Sequence, residues 1–530
     1  MEKKRPNVIL LILDALRFDR LASSGYRPAL TPTLDRLAAE GISCTEHFSV
    51  GCPTQISMPG IFSSTLPLDH HGYANGIAHR PRSFVEDLRE AGYYTSGVVT
   101  AHWLSSEFGY GRGFDQYYEA IDPVAWMQGT NIEFLGELLQ KREDGTLSEG
   151  EAVATLEREY PHILKQGRRY LDSLDHLGAP EHWRLRDNWR HKIRSEEELL
   201  IANPNAILNR KLQLGGFDYY GLGLPEVKAE LLRKIEKVKK WDGRLNRYTI
   251  VRSRRGHCMA HHINRHLPHT LRRIPQQPFF MLLHFFDLHE SKMLIPTLDA
   301  ARIASLPGDV VKALKGRENY HVGGFIHDIA LANIDRQVQR FINILDHAGR
   351  LKDTVLVITA DHGVATQRPR RNIGSDLSRM FFDEYLRVPL ILWGPDIIPD
   401  QVDSLMSHLD LGPTVLELAG LPNNMDFRGV PITTRKSQPA DHLIFENTGK
   451  GRCEIDNKPI YLAIRNKAMK AIFECEGSNA REREVFDLSR DPEENDNLCS
   501  SNSSLDQRKN FADIARNRLS TIRQASGGAM

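Results

Sequence analysis

The 530-residue chain lacks the marks of several large protein classes. It has six cysteines (Cys44, Cys52, Cys258, Cys453, Cys475 and Cys499), and no two form a CxxC pair. That spacing argues against a zinc-ribbon or thioredoxin-type motif and against a dense disulfide framework. Charge of either sign is not in excess: Lys and Arg number 69, Asp and Glu 68, for a formal net charge of +1. A dedicated nucleic-acid binder usually carries a basic surplus, so no nucleic-acid partner is expected. No segment reaches the ~18–20 consecutive apolar residues of a membrane span. There is no internal repeat and no low-complexity tract. The chain opens with basic residues and a short apolar run, Val8 to Leu13. That run is shorter than the ~7–15 residues of a signal-peptide core, and no small-residue cleavage site follows it. A cytoplasmic location with free thiols is therefore expected.

What is present is a substantial apolar fraction, 41% of residues, too high for a disordered chain. At ~100–200 residues per domain, the length fits several domains or one large α/β domain with additions. Residues 8–13 read as a buried parallel strand. Residues 31–40 and 84–91 read as helices, and Thr95–Thr100 as a strand, giving a βα pattern. Residues 122–275 differ: they are highly charged, with helical stretches at 150–175 and 225–240. This part is expected to be a helical insertion or cap that serves specificity, oligomer contacts or both. The α/β pattern resumes with a strand at 278–285, a helix at 327–348, and strands at 354–360 and 388–393. From about residue 435, short strands and turns predict a small antiparallel appendage, and a last helix follows Ser504. The expected division is a catalytic α/β domain formed by 1–121 and 276–434, the insertion at 122–275, and a C-terminal subdomain at 435–530.

Three apolar strands end in ionisable residues. Asp14 follows the first. His284 lies near the end of the second, with Asp287 and His289 just beyond. Asp361 and His362 follow the third. Ligands of open α/β sheets bind outside the carboxyl ends of strands. Any one of these aspartates could simply cap a helix, but the joint occurrence points to a metal-assisted site. Carboxylates with imidazoles suit Zn or Mn, with Ca or Mg fitting if oxygens dominate. A fourth element, Gly51–Phe62, places Pro53 and hydroxyl residues before an apolar helical stretch. A side chain at such a helix start faces backbone N–H groups and the positive end of the helix dipole, which suits a nucleophile at phosphorus or sulfur. The stretch 256–269 carries His residues at i, i+4 spacing but no HExxH, and reads better as a polar helix. The Gly-rich basic turn at 448–453 lacks a complete P-loop.

On these residues the sequence resembles the sulfatase branch of the alkaline phosphatase superfamily. Asn7–Arg17 is similar to the family's first metal-ligand strand, and Gly113–Tyr118 to its GFDxYY element. Leu283–His289 resembles its H-x4-H segment, and Thr359–Gly363 its second metal-ligand turn. Asp383–Pro389 is similar to the strand entry that follows. Phe486–Leu488 with Asp491–Asn497 resembles the closing (Y/F)DLxxDPxExxN motif. The shared order spans most of the chain outside 122–275. The resemblance implies an alkaline-phosphatase-like fold: a large, mostly parallel sheet flanked by helices, with a helical insertion and a small antiparallel C-terminal subdomain.

The departures from the family pattern bear on chemistry. Type I sulfatases convert the Cys of C-x-[PA]-x-R to formylglycine. Neither register around Cys52 and Pro53 yields that motif. Thr54–Pro59 is instead similar to the T-x-x-S-x-P turn of phosphoethanolamine transferases, whose first Thr is the metal-bound nucleophile. Thr54 is therefore the expected nucleophile and Cys52 the runner-up; the plain alternative for Cys52 is a small buried residue beside the turn. Ala15 stands where many sulfatases have a second Asp, and His362 where many have Asn, shifting the preference toward a transition metal. Arg379, four residues before Asp383, stands where sulfatases commonly carry a Lys, and suits bidentate oxyanion contact.

The resemblance implies that Asp14, Thr54, Asp361 and His362 hold a divalent metal. It implies that Thr54 attacks, and that His289 and Arg379 contact the anion or protonate the leaving oxygen. His284 and Asp287 would support the site or belong to a second metal. The expected activity is a hydrolase of phosphate esters, diesters or substituted phosphates above all. The alternatives are a sulfuric ester hydrolase and a phospho-group transferase acting on a glycan or lipid. The expected partner is an anionic ester, small or linked to a glycan or lipid, with homo-oligomer contacts through the insertion left open.

Overall fold

A computed structural model of the chain describes residues 5–27, 29–121, 132–177, 183–210, 259–275, 277–289, 322–365, 380–424, 426–448, 459–501 and 503–527. The helix expected over 225–240, Arg379 and the part of the Gly-rich turn at 449–453 lie outside those residues.

The chain enters through β1 (Asn7–Leu13), in which every residue is buried. Its unbroken apolar run has no polar face to give to water, so the strand must be covered on both sides. It lies at the middle of an eight-stranded sheet of order β5-β4-β6-β1-β7-β8-β2-β9. The other strands are β2 (Ile42–Cys44), β4 (Tyr94–Val99), β5 (Gln116–Glu119), β6 (Phe279–Phe285), β7 (Thr354–Thr359), β8 (Leu390–Trp393) and β9 (Asp400–Val402). β1 pairs in parallel with β6 on one side and with β7 on the other. β8 alone runs against its neighbours. Short β3 (His47–Phe48) and β10 (Met406–Ser407) pair beside the sheet.

Helices cover both faces. On one side lie α1 (Pro32–Glu40), α8 (Ala260–Arg273) and α9 (Val322–His347). Their apolar residues, among them Leu34, Ile263, Leu267 and Val338, pack with Ile9, Leu11 and Leu13 of β1. On the other side lie α2 (Thr54–Ser63), α3 (Phe84–Glu90) and α11 (Leu411–Leu418), which pack with Val8, Leu10 and Ile12. The alternation along β1 thus feeds two cores, one per face. The charged segment forms α4 (Ile132–Glu143), α5 (Glu149–His176), α6 (Trp183–Ala202) and α7 (Pro204–Arg210). They share a core of their own around Leu156, Tyr160, Leu164 and Leu171. Helix α5 opens with a capping box: Ser148 accepts from Glu151 N–H, and the Glu151 carboxylate accepts from Ser148 N–H.

A one-turn helix, α10 (Asp383–Leu386), precedes β8. After α12 (Ile432–Ser437) comes a four-stranded antiparallel sheet. Its strands are β11 (Leu443–Asn447), β12 (Ile460–Arg465), β13 (Met469–Glu476) and β14 (Asn479–Asp487), in sequence order, and α13 (Leu505–Gly527) packs on it. Ile56 of α2 belongs to the same apolar cluster, so the C-terminal sheet leans directly on the helix that begins at Thr54. Among the described residues, no helix is long and apolar enough to cross a membrane.

Candidate active site

β1, β6 and β7 run in parallel, so their carboxyl ends open at one edge, next to one another. Asp14 follows β1 and is fully buried. Asp361 and His362 follow β7 and are buried as well. Among the described residues, only Asp14, Asp361 and His362 bring three acidic or imidazole ligand atoms within 4.8 Å of one another. The donor set fits a divalent cation. Both Asp14 oxygens and His284 Nε2 are buried, and beyond the 3.3 Å approach of His284 Nε2 to Asp14 Oδ2 none of them has a hydrogen-bond partner. Such groups are costly to bury unless a positive charge satisfies them. Carboxylate oxygens with an imidazole suit Zn or Mn.

Thr54 is the first residue of α2, 4% exposed. Its Oγ1 lies 2.6 Å from Asp361 Oδ2 and 3.2 Å from His362 Nε2. The hydroxyl therefore sits among the ligand atoms and at the positive end of a helix. His362 is oriented from behind, its Nδ1 2.7 Å from the Gly363 carbonyl, which leaves Nε2 facing the site. Asp361 Oδ1 accepts from the backbone N–H groups of Ala15, at 3.2 Å, and His362, at 2.8 Å. Ala15 makes its contact from a left-handed conformation, φ 64°. A non-glycine residue held there stores about 1–3 kcal/mol of strain, a pattern that clusters at functional sites.

The electrostatics follow from burial and crowding. Burial opposes the charge on Asp14, but His289, His284 and His362 outweigh it and hold the carboxyl at about 2. Burial likewise opposes a charged His362, but Asp361, Cys52 and Asp14 raise it well above the ordinary histidine value. The carboxylates that retain a proton on that imidazole are the same ones that would attract a metal cation in its place.

The remaining expected residues fall in different places. His284 joins the group: its Nε2 is 3.3 Å from Asp14 Oδ2, and its Nδ1 is 2.8 Å from Thr100 Oγ1. Cys52 is buried two residues before Thr54 and interacts with His362. His289 is exposed at the rim, stacked on Phe286 at 4.5 Å, with its ring centroid 6.2 Å from that of His362. Asp287 turns elsewhere. Its Oδ2 accepts the Ala260 N–H at 2.9 Å, at the start of α8, and burial pushes its carboxyl up to about 6. That is a helix-start contact. Sequence reasoning passed over Thr100 and the Ala15 N–H. A hydroxyl just past β4, level with His284, was the available signal for the first; a backbone donor leaves no signal.

A mostly parallel sheet with Asp, His and a hydroxyl gathered at its carboxyl edge defines a hydrolase of ester bonds with the alkaline phosphatase architecture. Solved structures share the fold. A 2-O GAG sulfatase aligns over 99% of this chain and 93% of its own, with a TM-score of 0.56 and 16% identity. The phosphonate monoester hydrolase of Agrobacterium radiobacter aligns over 98% and 96%, with a TM-score of 0.54 and 15% identity. The family model described as Sulfatase matches residues 6–148 and 257–421, more than half of the chain. The protein belongs to the sulfatase family. A second model, described as N-sulphoglucosamine sulphohydrolase, C-terminal, matches 376–523. Among curated proteins, an N-acetylglucosamine-6-O-sulfatase of Bacteroides thetaiotaomicron is 22% identical, covering 94% of this chain and 83% of its own. Human N-acetylglucosamine-6-sulfatase is 26% identical over 32% of this chain and 36% of its own.

Proposed function

We propose that the protein is a metal-dependent sulfuric ester hydrolase in which Thr54 is the nucleophile and the substrate is a small or glycan-linked sulfate ester. The observation that carries the nucleophile is the position of Thr54 Oγ1, 2.6 Å from Asp361 and 3.2 Å from His362 at the start of α2. The family match and relatives named for 6-O-sulfated amino sugars support sulfate over the phosphate esters that the Thr54 turn first suggested.

A divalent ion held by Asp14, Asp361, His362 and Thr54 would supply positive charge for the hydroxyl oxygen and the ester oxygens. The chain's own groups then do the following. Thr54 Oγ passes its proton to Asp361 and forms a bond to sulfur. The bond from sulfur to the ester oxygen breaks. His289 gives its N–H proton to that leaving oxygen. Ile56 and Ser57 N–H donate to the Pro53 carbonyl, so the Thr54 and Gln55 N–H groups and the positive end of α2 are what the helix offers to the charge on the sulfuryl oxygens. In the second half, water attacks sulfur and gives a proton to His289. The Thr54 oxygen leaves and recovers its proton from Asp361. Sulfate and the alcohol are the products, and every side chain returns to its starting state. Arg379 is assigned to the anion by its sequence position.

The phosphoester reading is favoured by one specific observation: a Thr, and no C-x-[PA]-x-R motif, at the helix start. A panel of 4-nitrophenyl sulfate, phosphate, phosphonate and bis-phosphate, with metal analysis of the same sample, separates the two. Turnover is expected to be highest on sulfate, with about one transition metal ion per chain. Thr54→Ala should lower kcat at least about 10³-fold. Full activity in that variant, or formylglycine at Cys52 by mass spectrometry, would overturn the assignment of the nucleophile.

A further inference from the structure

The chain segments that carry Asp14, Thr54 and His362 all hang from one short piece of backbone that touches no reacting atom. This piece is α10 with Arg387 after it. Gly363, next to His362, donates its N–H to the Tyr385 carbonyl at 2.7 Å. Ser49, which opens the loop leading to Thr54, donates to the Leu386 carbonyl at 2.7 Å. Phe18, just past Asp14, donates to the Arg387 carbonyl at 3.1 Å. Arg17 crosses from the Asp14 loop to Glu384 at 3.3 Å and to the Val364 carbonyl at 3.0 Å. A Cβ on Gly363 would stand 2.2 Å from the Glu384 carbonyl oxygen, so the turn and the His362 loop have no slack between them.

The piece is itself fixed from the C-terminal sheet. Lys470 of β13 is fully buried. Its Nζ donates to the Phe381 carbonyl at 2.9 Å and to the carboxylates of Asp383 and Glu494. Glu494 Oε2 accepts the Asp383 N–H at 2.7 Å. Arg465 of β12 reaches Asp383 and Glu46, each at 3.1 Å. Buried ion pairs add little net stability compared with apolar packing of the same volume, because desolvation offsets their attraction. What this cluster does fix is geometry: one ammonium takes three oxygens at set directions and thereby sets the height of 381–387 above β13.

We propose that Lys470 is a positioning residue of the catalytic centre, acting with Asp383 and Glu494 through the 381–387 backbone to hold the loops of Asp14, Thr54 and His362 in register. This rests on the reading of those residues as the centre. A shift of about 1 Å in such a site costs on the order of 10²-fold in rate.

The test is Lys470→Met, with Lys467→Ala, in the β12–β13 turn three residues before it, as the control. Three readouts are taken: kcat and KM on 4-nitrophenyl sulfate, zinc affinity by titration calorimetry, and hydrogen exchange at the Ser49 and Gly363 amides. In Lys470→Met, kcat should fall about 10–100-fold and zinc affinity by a similar factor. KM should stay within about twofold, as for a loss confined to the transition state. Exchange at both amides should quicken, and the control should match the wild type. A folded Lys470→Met protein with unchanged exchange, zinc affinity and kcat overturns the proposal. If Lys470→Met does not fold, Glu494→Gln takes its place, and unchanged exchange at Ser49 and Gly363 overturns the proposal in the same way. A wild type without sulfate turnover defeats the substrate assignment alone, since exchange still decides the positioning role.

Discussion

Asp14, His284, Asp361 and His362 are buried ionisable groups with no room to spare, whereas His289 stands exposed at the rim. That difference matches their assigned work. A group that gives a proton to a leaving oxygen must meet a substrate arriving from solvent. His289→Ala should therefore lower kcat about 10²–10⁴-fold on alkyl sulfates, where the leaving oxygen needs a proton. The loss on 4-nitrophenyl sulfate should be far smaller, since nitrophenolate departs without one. Equal losses on both substrates would remove His289 from that role. At this scale much was legible in the sequence. Asp14, Asp361 and His362 each follow an unbroken apolar run, and burying those runs in one parallel sheet brings them together. Asp287 shows the limit: its position resembled a site residue, yet its oxygen takes the first N–H of α8. A carboxylate near a strand end serves a ligand or a helix start equally well, and only the fold decides.

Elements were legible where periodicity ran long: β1, β6, β7, α1 and α5 agree with the reading of the sequence to within a residue or two. β3, β10 and α10 were not, because two to four residues carry no period. β3 nonetheless holds a group with a measurable consequence. His47 is fully buried, its ring 5.4 Å from that of His408. Burial pushes His47 down to about 4, and burial with the neighbouring His47 lowers His408 well below its usual value. Both are neutral in the folded chain. Below pH ~6.5 the unfolded chain takes up protons that the folded chain refuses. Stability is therefore complete above ~6.5 and declines as pH falls toward 4. From His47 alone the loss is about 2 kcal/mol at pH 5. Urea unfolding at pH 7 and pH 5 measures it, and His47→Gln should flatten the slope by about one proton. A slope that the substitution leaves unchanged would show that His47 does not drive it.

At the scale of the whole molecule, the C-terminal subdomain is joined to the catalytic sheet by buried charge at two places. One is the Lys470 cluster. The other is Arg518 of α13, which pairs with Glu446 at the end of β11 and with Asp69 beyond α2, the latter at 2.8 Å. Removing one partner of such a cluster strands the others: Arg518→Met should cost about 3–5 kcal/mol in urea unfolding. A loss under about 1 kcal/mol would show that Asp69 and Glu446 find other donors. The sequence announced the subdomain, through its short strands and the closing motif around Glu494, but not its attachment. Ion pairs that join residues from 24 to 449 positions apart leave no spacing to read. That attachment bears on how the protein is made. The nucleophile loop emerges from the ribosome early, while Lys470 and Arg518 emerge nearly last. A nascent chain halted before β12 would hold Asp14, Thr54, Asp361 and His362 in sequence, yet lack Arg465, Lys470 and Glu494, which fix the 381–387 backbone. Catalytic competence should then arrive only after β13 and the Glu494 turn have been made, well after the residues of the centre themselves.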